Sequence, residues 1–376
     1  MKDLGVENLQ RPRNRRSFLK KSLLAGTATV GAGLIAGGEA SGAVPATPTQ
    51  GDIAILTFLA AAELIESDLW QQYAELGGLT PGQAPVETDP SFQPMNSYQA
   101  AFMNLDSDGP QYISSNTIDE QSHAAFLNAY LKSIGAPAVN LDQYRTLPSS
   151  QADGAQNIGR LTNLMNITVD TSWYTRYHSA TNPDLGASFG QAITLANVPA
   201  IPRTNADFGL SNIQAIANIA AFHFGSIEQG GSSLYATLSQ KVSNPEVLKI
   251  TLSIGGDELC HFLEWVDFSG NAVQPTVAPL PAANGLPAFP NFDVADPTDP
   301  NPLLQTNLIF PVPCEFISSK LPKCAVIRPT SAGQVDAIGA INYLVASGLF
   351  MGQPTSFIEL LLTLAAEADA AQRWFR

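Results

Sequence analysis

The pattern Asp-Glu-x-x-His occurs twice in this chain, as DEQSH at 119–123 and as DELCH at 257–261. Each copy runs into an apolar segment, and together they use two of only four histidines. On a helix, residues three apart lie on one face, so each Glu–His pair carries a carboxylate and an imidazole to the same point.

A second repeat precedes each copy. ELIESDLW (63–70) aligns with EQGGSSLY (228–235) at four positions: Glu63 with Glu228, Ser67 with Ser232, Leu69 with Leu234, and Trp70 with Tyr235. Seven residues turn through about 700°, so each glutamate shares a helix face with its aromatic. Both halves therefore read Glu, aromatic, then Asp-Glu-x-x-His, which is an internal duplication. Two such motif helices and two single-glutamate helices converge four carboxylates (Glu63, Glu120, Glu228, Glu258) and two imidazoles (His123, His261). That oxygen and nitrogen set suits two divalent ions of the iron or manganese kind, bridged by carboxylates. A structural zinc takes four ligands, often thiolates, and fits it poorly. Asp119 and Asp257 are placed to take the other N–H of a ligating histidine, across the repeat.

Burial supports the same reading. From Ser211 to Ala236 the only charged residue is Glu228. An unpaired carboxylate on such a helix would cost several kcal/mol or shift strongly toward its neutral form, and coordination removes that cost. Glu63, between Ala-Ala-Ala and Leu-Ile, is in the same position. Glu66 competes with Glu63 on the first helix, and the alignment of the two halves selects Glu63. Trp70 and Tyr235 lie two turns from the glutamates, close enough to a site to pass electrons, although aromatics at this spacing are ordinarily core.

Helical spacing starts at Asp52, read as an N-cap, and continues for about 25 residues. It returns at 117–134, at 211–240 with Ser211 as cap, at 245–268, and again at 334–350 and 355–374. Residues 77–116 read as loop, 136–210 as an irregular connection, and 270–333 as a Pro-rich stretch without regular core. The predicted fold is all-α. A four-helix bundle at 44–268 has one long crossover between its two helix pairs, and 269–376 form a Pro-rich C-terminal extension with additional helices.

The segment 1–43 is expected to be removed. It has a basic start, a mildly apolar run at 22–38 and small residues at Ser41-Gly42-Ala43, the layout of an export signal. Its RRSFLK at 15–20 closely resembles the twin-arginine export motif, which implies folded cargo and a periplasmic or extracellular mature protein. No later stretch approaches membrane-spanning length, so no membrane partner is expected after cleavage. The formal net charge of −14 argues against nucleic acid or an anionic membrane surface as partner. Three cysteines allow one bridge, with Cys314 and Cys324 the plausible pair.

The remaining candidates read as structural. His223 is a core or groove histidine, His178 a loop residue, Glu264 a solvated residue and Cys260 a small buried one. Gly186-Ala187-Ser188-Phe189-Gly190 fits the nucleophile-elbow pattern, but the turn-like SATNPDL before it is no buried strand.

On these motifs, residues 52–268 resemble the ferritin-like superfamily, and the paired Asp-Glu-x-x-His segments are similar to bacterioferritin-type sites. The first-helix sequence, the long crossover and the export signal are most similar to the secreted ferritin-like family that includes plant desiccation-related proteins. The resemblance implies a di-metal centre of two Fe or Mn ions on Glu63, Glu120, His123, Glu228, Glu258 and His261. It also implies O2 or H2O2 as the partners of an oxidase-, peroxidase- or catalase-like activity in stress. A non-enzymatic stress-associated structural or interaction protein would share this ligand set. So would metal sequestration, which needs a homo-oligomeric shell. No catalytic residue is assigned.

Overall fold

The computed structural model of this 376-residue chain describes residues 47–86, 88–89, 91–171, 193–273, 277, 279–289, 311–312, 317–318, 320–325 and 336–373. The expected export signal, His178, the run at 186–190 and Cys314 lie outside them.

Helix dominates these residues, and local chemistry sets its boundaries. Helix α1 (Gln50–Gly77) begins before Asp52, because Thr49 is its cap. Thr49 Oγ1 accepts from Asp52 N at 3.1 Å, and Asp52 Oδ2 accepts from Thr49 N at 2.8 Å. Asp52 is thus the acidic partner of a capping box rather than the cap itself. Its other oxygen accepts from Ser243 N at 2.8 Å, which ties the start of α1 to a distant connection.

The stretch read as loop contains a short helix, α2 (Ser97–Met103), capped by Asn96. Helix α3 (Gly109–Ser133) starts well before the expected 117. Pro110 sits in its first turn, where a missing N–H costs nothing.

Helix α4 (Ile213–Ser239) has Asn212, not Ser211, at its N-cap position. The Asn212 amide does not cap but donates to Ala283 O at 2.9 Å. Helix α5 (Pro245–Val273) runs past the expected 268 and is capped by Asn244 Oδ1, which accepts from Glu246 N at 2.8 Å. Strand β1 (Ile167–Asp170) pairs antiparallel with β2 (Thr194–Val198), inside the connection read as irregular. A two-residue ladder joins β3 (Pro311–Val312) to β4 (Cys324–Ala325). Helices α6 (Ala337–Ala346) and α7 (Thr355–Ala370) follow.

Helix α1 lies along α3, and α4 along α5. The pairs meet through an aromatic core in which Trp70 stacks on Phe224 and Trp265, with ring centroids 4.8 and 5.3 Å away. Such contacts contribute roughly 0.5–1.5 kcal/mol each beyond area burial. Helix α7 packs on α1, and α6 on α7 and α4. Residues 136–171 are held by buried polar anchors. Asp68 Oδ2 accepts from Leu161 N, Thr162 N and Thr162 Oγ1 at 2.9, 2.9 and 2.7 Å, and Asp68 Oδ1 pairs with Arg145 Nη1 at 2.6 Å. Arg160 Nη2 meets Glu75 Oε2 at 2.5 Å. No helix among the described residues is long and apolar enough to cross a membrane.

Candidate metal centre

Four helices each deliver ligand-type side chains to one buried point. Glu63 comes from α1, Glu120 and His123 from α3, Glu228 from α4, and Glu258 and His261 from α5. The four carboxylates are 0% exposed, and the imidazoles 8% and 5%. Ligand atoms of Glu63, Glu120, His123 and Glu258 all lie within 4.8 Å of one another, and so do those of Glu120, Glu228 and His261. Glu120 belongs to both groups.

The imidazoles turn the same nitrogen inward. His123 Nδ1 is 3.2 Å from Glu120 Oε2, 3.4 Å from Glu258 Oε1 and 3.5 Å from Glu63 Oε2. His261 Nδ1 is 3.0 Å from Glu120 Oε1 and 3.4 Å from Glu228 Oε2. Outward, His123 Nε2 faces Asp257 Oδ2 at 3.2 Å, and His261 Nε2 faces Asp119 Oδ2 at 3.4 Å. Each histidine therefore meets the aspartate of the other motif, in the position that orients a metal-binding imidazole. The aromatics cross over in the same way. Trp70 Nε1 donates to Glu228 Oε1 at 3.0 Å, and Tyr235 OH donates to Glu63 Oε1. The sequence relates each aromatic to the glutamate of its own helix, whereas the hydrogen bond goes to the glutamate of the other half.

The electrostatics are those of crowded, buried carboxylates. Burial raises Glu120 to about 8; the imidazoles of His123 and His261 pull it down, and Glu228 and Glu63 push it up. Glu258 rises well above the usual carboxylate range through burial and then through Glu120, Glu63 and Glu228. Burial opposes the charged form of His261, yet Glu228 and Glu120 override it and push it up to about 12. His123 also rises, against its burial, under Glu120, Glu258 and Glu63. Burial and mutual repulsion thus hold Glu120 and Glu258 toward their neutral forms, and bound cations would supply the positive charge that lets all four carboxylates ionise.

The orphaned atoms make the same demand. Glu63 Oε2, Glu120 Oε1, Glu228 Oε2, Glu258 Oε1 and His261 Nδ1 have only ion-pair approaches of 3.0–3.5 Å without hydrogen-bond geometry, and Glu258 Oε2 has no partner among the described residues. Burying such an atom unsatisfied costs about 1–3 kcal/mol, more when it is charged. Cations bound among these donors would satisfy all six atoms at once, so the residues present fit a metal centre.

Gly231 on α4 provides the room. A Cβ there would lie 2.2 Å from Glu258 Oε2, a separation no real side chain tolerates. Gly231→Ala is therefore expected to displace the Glu258 carboxylate and cost the centre at least one ion while leaving the helix folded, since alanine is the better helix former. Elemental analysis beside a melting curve checks this; unchanged metal content would contradict it.

The other candidates fall away from the cluster or beside it. Glu66 is buried next to it and moves well above the usual range through burial and then through Glu258, Glu120, Glu63 and Glu228, but it belongs to neither ligand group. His223 is a core histidine, 2.8 Å from the Tyr73 hydroxyl and lowered to about 3 by burial. Glu264 is not a solvated residue. It accepts from Asn116 Nδ2 at 2.9 Å, and burial raises it. Asn116 in turn accepts from Trp265 Nε1 at 2.7 Å, a link between α3 and α5 with no signal in the motif spacing. Cys260 is exposed rather than buried, because it lies about 200° around the helix from Glu258. Compared with protein-family models, curated proteins and solved structures, the chain finds no match.

Proposed function

We propose that this chain is an exported di-iron or di-manganese carboxylate protein, built on a ferritin-like four-helix bundle, whose centre reduces O2 or peroxide under oxidative or desiccation stress. The observation that carries the reading is the set of six ligand-type atoms without a hydrogen bond, two from the first half of the chain and four from the second, buried around one point. The RRSFLK segment at 15–20 supports export with the metal already in place.

Glu63, Glu120, His123 and Glu258 would hold one ion, and Glu228, His261 and the shared Glu120 the other. When bound, a redox-active pair supplies the change of valence that O2 or peroxide reduction needs. The chain does the rest. Trp70 and Tyr235 hold the Glu228 and Glu63 carboxylates at one oxygen each, leaving the second oxygen to face the centre. Burial keeps the Tyr235 phenol protonated, as a donor rather than a phenolate. Asp119 and Asp257, half exposed on their outer side, can pass protons between the imidazoles and solvent.

The test is elemental analysis of the exported protein beside Glu258→Ala and His261→Ala, followed by O2 and H2O2 consumption. About two Fe or Mn per chain is expected, with loss in both variants and turnover only in the wild type. Chelation should lower Tm on the order of 10 °C, as expected when a ligand held far above its Kd is stripped from a domain of this size. A folded wild type without metal would overturn the proposal. Metal without turnover would reduce it to a structural centre.

A further inference from the structure

We infer that a cavity between α1, α4 and α6 is the binding site for a small, uncharged, apolar molecule of monocyclic-aromatic size, held directly against the carboxylate cluster. The inference rests on the reading of that cluster as a metal centre only for what lies at the cavity's inner end.

The cavity measures about 200 Å³, with Phe58 and Leu69 from α1, Leu234 from α4, and Ile341 and Leu344 from α6 among its walls. An engineered apolar cavity of about 150 Å³ stays dry and takes up benzene or xenon, so this space accommodates a ring with a short substituent. Ser226 Oγ and the Tyr343 hydroxyl, both on its lining, hydrogen-bond each other at 2.5 Å, and Gln229 and Ser233 are further polar side chains on a lining that is otherwise mostly apolar. Glu66 is the only charged residue on the lining. An anion would face Glu66 and the cluster carboxylates, and a cation would face the bound ions.

Two adjacent glycines shape the cavity's wall on α4. Gly230 and Gly231 stand in the middle of α4, where each costs about 1 kcal/mol relative to alanine. Gly231 makes room for Glu258. At Gly230 a Cβ would meet no atom within 4 Å, so no close packing calls for a glycine, and what its missing side chain leaves is open volume. The inner wall then consists of the Gly231 backbone, in contact with Glu258, and Tyr235, whose hydroxyl binds Glu63. A molecule in the cavity lies one residue layer from two of the cluster carboxylates.

The experiment uses toluene and the full mature protein loaded with Mn²⁺, beside Gly230→Leu and Ala340→Phe, which fill the cavity from opposite walls and replace no cluster residue. Binding is read by calorimetry, toluene proton relaxation by NMR, and metal content in the same samples. The wild type is expected to bind toluene, both variants to lose affinity by about tenfold or more, and Mn²⁺ to enhance the relaxation of bound toluene. No binding by a metal-loaded wild type, or equal binding by both filled variants, overturns the site and leaves the proposed function standing. Variant-sensitive binding without enhancement by retained Mn²⁺ overturns its placement against the cluster. Variant-sensitive binding by a protein that retains no metal upholds the site and overturns the metal reading instead.

Discussion

Glu120→Leu is expected to empty the whole centre, whereas Glu63→Ala or Glu228→Ala should remove about half of the metal. Glu120 is the residue common to both ligand groups, and its two oxygens face different imidazoles, Oε2 toward His123 and Oε1 toward His261. Glu63 and Glu228 each serve a single group. In the metal-free protein the substitution also removes the nearest partner of both imidazoles, at 3.2 Å from His123 Nδ1 and 3.0 Å from His261 Nδ1. Removing one partner of a buried pair costs about 3–5 kcal/mol, offset in part by relief of the repulsion among the crowded carboxylates. Glu120→Leu should therefore bind no metal, melt lower than the metal-loaded wild type, and melt lower than the wild type stripped by chelator. Elemental analysis with melting curves under both conditions reads all three. Wild-type metal content in Glu120→Leu would remove the shared carboxylate from its role.

The second large effect concerns the fold. Asp68 is wholly buried, and its carboxylate accepts two backbone N–H groups, the Thr162 hydroxyl and the Arg145 guanidinium. Substitution by alanine leaves the buried Leu161 and Thr162 donors without that acceptor, at about 1–3 kcal/mol for each group left unsatisfied, while Arg145, 28% exposed, keeps Asp142 at 3.4 Å. Denaturant midpoints should fall accordingly, with residues 136–171 becoming protease-sensitive before the helices do, because Asp68 fastens Leu161 and Thr162 to α1 beside the weaker hold of Gln72 on Thr162. A loss below about 1 kcal/mol, the range of an exposed pair, would show that the anchor is dispensable.

These residues show how unevenly the sequence reveals the molecule. The cluster side chains could be selected because a helix converts spacing into a shared face, and because the chain states the pattern twice. Their cross-pairing could not be read, since spacing along one helix carries no information about which partner lies opposite. Trp70 therefore pairs with Glu228, although the sequence relates it to Glu63. Helix α2 was hidden by its seven residues in a polar stretch, where the Asn96 cap is the main local signal. The described parts of the connection, 136–171 and 193–210, have no helical period because their order comes from the short β1–β2 pairing and from single polar contacts, such as Arg160 to Glu75, 85 residues apart in sequence. Cys260 reads as buried from its residue type, but the direction of its helix face overrules that preference.

The exchanged contacts have a consequence for how such a chain could have arisen. Swapping the two halves carries the Trp70–Glu228 bond onto Tyr235–Glu63, and the His123–Asp257 pair onto His261–Asp119. A set of contacts that maps onto itself under exchange is that of an isologous interface between identical subunits. A half-length ancestor carrying one glutamate helix and one motif helix could complete none of these pairs alone. It would have needed a second copy of itself, and on that origin a two-fold axis would have run through the cluster before the two halves were joined in one chain.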